Sequence, residues 1–207
     1  MSRLIILGCG GHGRVIADMA ERVGVYTSIV FLDNDPDAGD RVGGMKILGP
    51  FSELESIASR EDHCVVGIGD NQLRSKLTAV VESLHVPLAT IIDPSASVSD
   101  GSVLGAGTVV MPRAVVNTGS VVGRGCIINT ASSVDHDCRI SEFVHISPGA
   151  NIGGDVRIGE CSWIGIGSSV RHGISIGRGA MIGAGASVVA CVDDGVTVVG
   201  VPAKPMG

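Results

Sequence analysis

The chain is poor in several things at once. Aromatic residues make up 2% of its 207 residues, with one Trp, one Tyr and three Phe. So few rings leave no stacking platform for single-stranded bases. A basic surplus is missing too: 15 Lys and Arg face 21 Asp and Glu, for a net charge of −6. That sign supplies no field to draw in nucleic acid or an acidic lipid surface. No apolar run approaches the ~20 residues that a membrane span needs. The six cysteines, Cys9, Cys64, Cys126, Cys138, Cys161 and Cys191, contain no CxxC pair. No charged-then-apolar leader precedes the first strand-like run, Leu4–Leu7. Reduced thiols in a cytoplasmic protein are therefore expected.

What is abundant is glycine, 31 residues, with a mean hydropathy of +0.41. There is no Gly-X-Y period, so collagen is excluded. The glycines mark a repeat. From Ile92 in steps of six, through Val98, Leu104, Val110 and onward to Val188, all seventeen positions are Ile, Leu or Val. Four residues after each comes a restricted, mostly small residue, from Ala96 and Ser102 to Ala186 and Val192. Residues two apart on a strand share a face, so the small residue and the next aliphatic both point inward and the residue between them points out. The other three residues turn the chain, and the glycines that follow the aliphatic, such as Gly105, Gly123 and Gly153, are expected there for their tolerance of positive φ. Short parallel strands stacked ~4.8 Å apart make a β-helix. The outward residues Val103, Val109, Val115, Val121 and Ile127 are expected to form an aliphatic face buried against another subunit.

The first half reads differently. Leu4–Leu7 is a buried strand, followed by Gly8-Cys9-Gly10-Gly11-His12-Gly13 and a helix from Arg14 to about Arg22. Gly8, Gly10 and Gly13 fit G-x-G-x-x-G. A second strand, 28–32, ends at Asp33, twenty residues past Gly13, and a third, 64–68, precedes Gly69-Asp70-Asn71 and a helix to about Leu84. Backbone N–H groups at the helix start favour a phosphate, and the later acid suits a ribose hydroxyl. About 90 residues hold only half of a dinucleotide fold, which disfavours a nicotinamide oxidoreductase. The expected domains are 1–90, nucleotide-binding α/β, and 91–207, all-β repeat.

In the repeat, Ser132–Ser141 reads SSVDHDCRIS. Val134 is the aliphatic position, so His136 and Asp137 sit on a corner and Cys138 fills an inward slot. Cys138 is expected to be packing rather than a nucleophile or ligand. A zinc site needs three or four convergent ligands, and only His136 and His145 stand near one another, so no metal is expected. His136 remains as a general base, with Asp137 or Asp135 as its carboxylate helper. His145 occupies an outward strand position, and His172 repeats the corner two coils later.

The hexads and the ending Gly200-Val201-Pro202-Ala203-Lys204-Pro205 resemble the hexapeptide-repeat acyltransferases. The G-x-G-G-H-G front domain joined to them resembles the bacterial nucleotide-amino-sugar N-acetyltransferases of bacillosamine or perosamine type, and the related sialic acid O-acetyltransferases. The resemblance covers nearly the whole chain. It implies an α/β half-Rossmann domain followed by an all-β left-handed parallel β-helix with three hexads per coil, hence five to six coils. It also implies acetyl-CoA as cosubstrate, a nucleotide-linked amino sugar as acceptor (a 4-amino-4,6-dideoxy sugar) and a homotrimer with active sites between subunits. By the same resemblance His136 is the base and Asp137 its partner, although relatives carry Glu at that position. His145, Ile166 and Ala184 contact the coenzyme. Gly10, Gly11, His12, Asp33, Asn34 and Gly69 contact the sugar nucleotide, and Asn34 stands where some relatives carry a second acid. Sugar O-acetylation and a non-catalytic trimeric sugar-nucleotide-binding protein are the alternatives.

Overall fold

The structure, a computed structural model, describes residues 2–206. The chain divides into two compact units, Met1–Pro94 and Ser95–Gly207.

The first unit is built on strand β1 (Arg3–Leu7), helix α1 (Gly11–Val23), strand β2 (Ser28–Leu32), strand β3 (His63–Val66) and helix α2 (Asn71–Ser83). The strands form a parallel sheet in the order β2-β1-β3. Central β1 is buried on both faces, as a parallel strand flanked by helices must be, with Leu4 through Leu7 all at 0% exposure. α1 starts three residues earlier than its apolar pattern predicts, so Gly11, His12 and Gly13 form its first turn and Gly10 is its N-cap. Gly13 permits this: a Cβ there would sit 2.9 Å from the carbonyl carbon of Gly8. β3 stops at Val66 rather than at 68, because Gly67 closes onto the same place. Its N–H donates to Leu7 O at 2.7 Å, and a Cβ on it would lie 2.8 Å from Gly13 Cα. Between β2 and β3 the sequence pattern gave no element; the chain there makes a small hairpin, Arg41–Val42 with Met45–Lys46, and short helical turns at Pro36–Ala38, Phe51–Glu53 and Leu54–Ile57.

The second unit is a parallel β-solenoid. Partners are eighteen residues apart on each of three ladders, for example Ser133↔Asn151, Arg139↔Arg157 and His145↔Trp163. One coil is therefore three hexads, one per face. The fourteen aliphatics from Val110 to Val188 are at most 3% exposed and form one continuous core. Burying each such side chain stabilises by ~1.5–3 kcal/mol. Val98 and Leu104, near the open end of the stack, are half-buried. Ile92, the first residue of the sequence phase, is 37% exposed, while its neighbour Ile91 is buried.

Two readings are corrected by the coordinates. The glycines after the aliphatic positions do not have positive φ. The left-handed residue is two places later, at Gly119, Gly125, Ala131, Asp137, Phe143, Gly149 and Asp155, with φ between 54° and 74°. Glycine follows the aliphatic for a different reason: the next coil's backbone passes too close for a side chain. A Cβ on Gly123 would lie 2.7 Å from Glu142 N, and one on Gly159 2.5 Å from Arg178 N. The outward aliphatics, secondly, do not make one face. Steps of six move to a new side of the prism, so Val103 and Val121 share one ladder, Val109 and Ile127 another, and Val115 lies on the third. Val109 and Ile127 are already buried; Val103 and Val121 are exposed.

The inward slots carry hydroxyls and thiols that are all used. Thr108, Ser120 and Ser162 donate to the carbonyls of Gly123, Asp135 and Gly177, and the thiols of Cys126 and Cys138 donate to those of Ser141 and Gly153, each fifteen residues on. Cys138 is thus fully interior and hydrogen-bonded, and burial raises its thiol pKa. A thiol reagent should label exposed Cys191 rapidly in native protein. Cys64, Cys126 and Cys138 should react only on denaturation; rapid native labelling of Cys138 would contradict the inward slot.

Candidate active site

Two residues turn the chain at each corner, and at one corner these are His136 and Asp137. Asp137 has φ 60°, a conformation that aspartate tolerates better than most side chains. The corner is held from both neighbouring coils. Asp137 N–H donates to Thr118 O at 3.1 Å, and Asp155 N–H donates to His136 O at 2.9 Å. The Ser120 hydroxyl donates to Asp135 O at 2.6 Å and accepts from Cys138 N–H at 3.0 Å, so one buried side chain pins the chain on either side of the imidazole.

Of the two neighbouring carboxylates, Asp137 is the one in contact with the ring. Asp137 Oδ2 lies 2.9 Å from His136 Nδ1. Asp135 accepts from the His136 backbone N–H and the Asn117 amide, both at 2.9 Å. The hydrogen bond to Asp137, followed by the charge of Asp135, raises the imidazole pKa above its ordinary value. With Nδ1 donating to the carboxylate, the neutral ring presents Nε2 as its basic nitrogen. The side chain is 57% exposed.

His145 lies on another face, at its outward strand position, yet it is only 6% exposed. The Trp163 ring, one coil on, packs against it at 4.1 Å between centroids. Asn129 Nδ2 is 3.0 Å from His145 Nε2, and Asn129 Oδ1 accepts from Thr130 N–H at 2.8 Å. The second bond fixes the amide, so its NH2 group faces the ring. His145 Nε2 then accepts and the ring proton sits on Nδ1. Neither Asn129 nor Trp163 stood out in the sequence; the eighteen-residue register is the signal that pairs Trp163 with His145. Ile166 and Ala184 share the exposed corner that follows this face, one coil apart, with Gly185 N–H donating to Ile166 O at 2.8 Å. That is a different edge of the prism from the His136 corner. A single chain does not bring the two groups together.

In the first unit a cavity of about 530 Å³ opens beside the glycine loop, lined among others by Gly10, Gly11, His12, Asp33 and Gly69. Asn34 is not part of the lining: its Oδ1 accepts from Phe51 N–H at 2.8 Å and ties down the following loop. Asp33 holds the glycine loop as well as facing the cavity. Its Oδ2 accepts from Cys9 N–H at 2.6 Å and its Oδ1 from Asp35 N–H at 2.9 Å. Burial raises its pKa, but these bonds outweigh burial and leave it below the usual value. The Cys9 thiol, desolvated and beside that carboxylate, is pushed up to about 11. His12 is pushed down to about 4 by desolvation and by nearby Arg74, so it is neutral at pH 7. The Arg74 guanidinium, fully buried, donates to the carbonyls of Ile68 and Gly69 at 3.1 and 2.9 Å and so shapes the cavity wall. Among the described residues no cluster of three or more His, Cys, Asp or Glu is placed to hold a metal ion.

The family model described as the PglD N-terminal domain matches residues 3–81, and that of the bacterial transferase hexapeptide matches residues 155–190. Among solved structures, the acetyltransferase domain of PglB from Neisseria gonorrhoeae FA1090 is 43% identical, covers 100% of both chains and superposes with a TM-score of 0.97. The chain belongs to the bacterial hexapeptide-repeat acetyltransferases that carry a PglD-type N-terminal domain. Within this family, the PglB domain has also been solved with acetyl coenzyme A. A variant of perosamine N-acetyltransferase from Caulobacter crescentus, in complex with CoA and GDP-perosamine, is 34% identical over 100% of this chain and 98% of its own, with a TM-score of 0.95. WeeI from Acinetobacter baumannii AYE is 26% identical, covers 100% of both chains and has a TM-score of 0.92. No curated protein sequence matches the chain.

If Asp137 is the main cause of the raised imidazole pKa, Asp137→Asn should bring the His136 titration midpoint down toward 6.5 in an NMR titration. Asp135→Asn should lower it less. The reverse order would assign the helper role to Asp135.

Proposed function

We propose that this protein is an acetyl-CoA-dependent N-acetyltransferase acting on a nucleotide-linked amino sugar, of the 4-amino-4,6-dideoxy class. The observation that carries this is the full-length likeness, at 34–43% identity, to enzymes solved with acetyl coenzyme A and with CoA and GDP-perosamine. The perosamine enzyme acetylates an amine, which favours N- over O-acetylation. The exposed imidazole–carboxylate pair supports direct transfer.

In that transfer the sugar amine attacks the thioester carbonyl and a C–N bond forms. His136 Nε2 takes the proton from the nitrogen while Asp137 stabilises the imidazolium through Nδ1–H. The C–S bond then breaks, and the thiolate leaves as the free thiol after protonation. His145, Ile166 and Ala184 are assigned to the coenzyme, and Gly10, Gly11, His12, Asp33 and Gly69 to the sugar nucleotide. Asn34 is assigned to the loop that borders it. Because the base must be neutral, kcat should rise with pH through a midpoint above 6.5, following the raised pKa of His136.

The protein is read as a homotrimer. His136 and the Ile166–Ala184 pair stand on different corners of one prism, which supports a site completed by a neighbouring copy. Among the described residues no helix is long and apolar enough to cross a membrane. The free cysteines and the metabolite substrates fit a cytoplasmic location.

His136→Ala should lower turnover by ~10²–10⁴-fold while leaving acetyl-CoA affinity nearly unchanged. The measurement is release of free thiol from acetyl-CoA with UDP-, GDP- and dTDP-amino sugars and with sialic acid. No thiol release with any acceptor would favour a binding protein; release with sialic acid alone would favour O-acetylation. Mixed oligomers of inactive His136→Ala and inactive Ala184→Trp chains should regain turnover, since one interface then holds both intact groups. No recovery would place the whole site within one chain.

A further inference from the structure

At the first of the two turn positions, every corner from Asp100 to Ala184 carries a side chain except one. The residues are Asp100, Ala106, Pro112, Thr118, Arg124, Thr130, His136, Glu142, Pro148, Gly154, Glu160, Ile166, His172, Arg178 and Ala184. The backbone therefore does not demand glycine at this position. Gly154 itself has no positive φ, so an alanine would fit its backbone. What stands in the way is the imidazole. Gly154 is eighteen residues after His136, directly above it in the stack, as the register Val134↔Ile152 requires. A Cβ on Gly154 would lie 2.6 Å from both Cε1 and Nε2 of His136 and 3.1 Å from its Cδ2. Ordinary carbon contacts are ~3.5–4.0 Å. The Cε1–Nε2 edge of the ring lies against Gly154, and Gly154 is buried although its corner is exposed.

We propose that Gly154 is a positioning residue, the seat on which the His136 imidazole rests, kept free of a side chain so that the ring can lean onto the next coil while Nδ1 stays on Asp137. This rests on His136 acting as the base. Asp137 leans the other way, toward the preceding coil, where a Cβ on Gly119 would lie 3.3 Å from its Cγ. The two side chains thus hold their 2.9 Å contact between one empty site above and one below.

In Gly154→Ala the exposed ring swings aside and the fold is kept. The imidazole then loses its contact with Asp137, so its NMR titration midpoint falls toward 6.5. A displacement of about 1 Å at a reacting group costs up to ~10²-fold, so kcat should fall by ~10–10²-fold. In the His136→Ala background the same change should alter neither turnover nor melting temperature. An unchanged titration in Gly154→Ala would overturn the proposal. So would an equal loss of rate, or an equal loss of stability, with and without the imidazole, since Gly154 would then act on substrate or on the fold directly. The titration and melting comparisons need no acceptor, so they decide the seat even if the transfer reaction itself is not found.

Discussion

Each coil of the solenoid hydrogen-bonds to the next in a register of eighteen residues, and the side chains of the second unit inherit that register. Val115 N–H reaches Ser132 O, and Ser133 N–H reaches Ala150 O. A side chain therefore has fixed neighbours one coil before and one coil after. For His136 these are Thr118 and Gly154; for His145 they are Ile127 and Trp163. Several inward slots also bridge coils. Thr108, Ser120, Ser162, Cys126 and Cys138 each donate to a carbonyl in the next coil, so a serine such as Ser120 packs in the core without leaving a buried donor unmet. That serine also fixes the corner carrying the imidazole. Core packing and site geometry meet in one side chain.

Two histidines show how the same ring is tuned in opposite directions. His12, in the first turn of α1, is desolvated and lies near the buried Arg74, so its charged form is disfavoured and its pKa falls to about 4. It lines the cavity as a neutral ring across the physiological range. His136 is exposed, bonded to Asp137 and close to Asp135, so its charged form is favoured. Surroundings of this second kind stabilise the protonated form, which is what proton uptake by a general base requires. His145 is a third case, where Asn129 assigns the tautomer. None of these states is set by the histidine itself; each follows from what the register or the helix places beside it.

The unbroken phase of Ile, Leu and Val assigned His136 to a corner and Cys138 to the interior without any coordinates, because inward and outward alternate strictly along a short strand. The glycine loop, β1 and Asp33 were legible for a similar reason: they are local in sequence. What stayed hidden depended on contacts between coils. Gly123 looks like a turn residue until the Glu142 backbone is seen against it. Val103 to Ile127 look like one patch until coil length distributes them over three faces. In each case residue type was informative and the missing quantity was distance along the stack.

The same rigidity constrains how a site can be completed. A prism with every coil bonded to its neighbours along three ladders has no hinge by which one corner approaches another. His136 stands on the corner after the strand Ser133–Val134, whereas Ile166 and Ala184 stand on the corner after Trp163–Ile164 and Met181–Ile182. With His136 as base and the latter pair against the coenzyme, motion within a chain cannot unite them. Apposition of two prisms can, because the edge of one copy then meets a different edge of the next. Assembly would be part of the chemistry under this reading, and a site formed from two rigid edges would need no lid to bring base and thioester into reach.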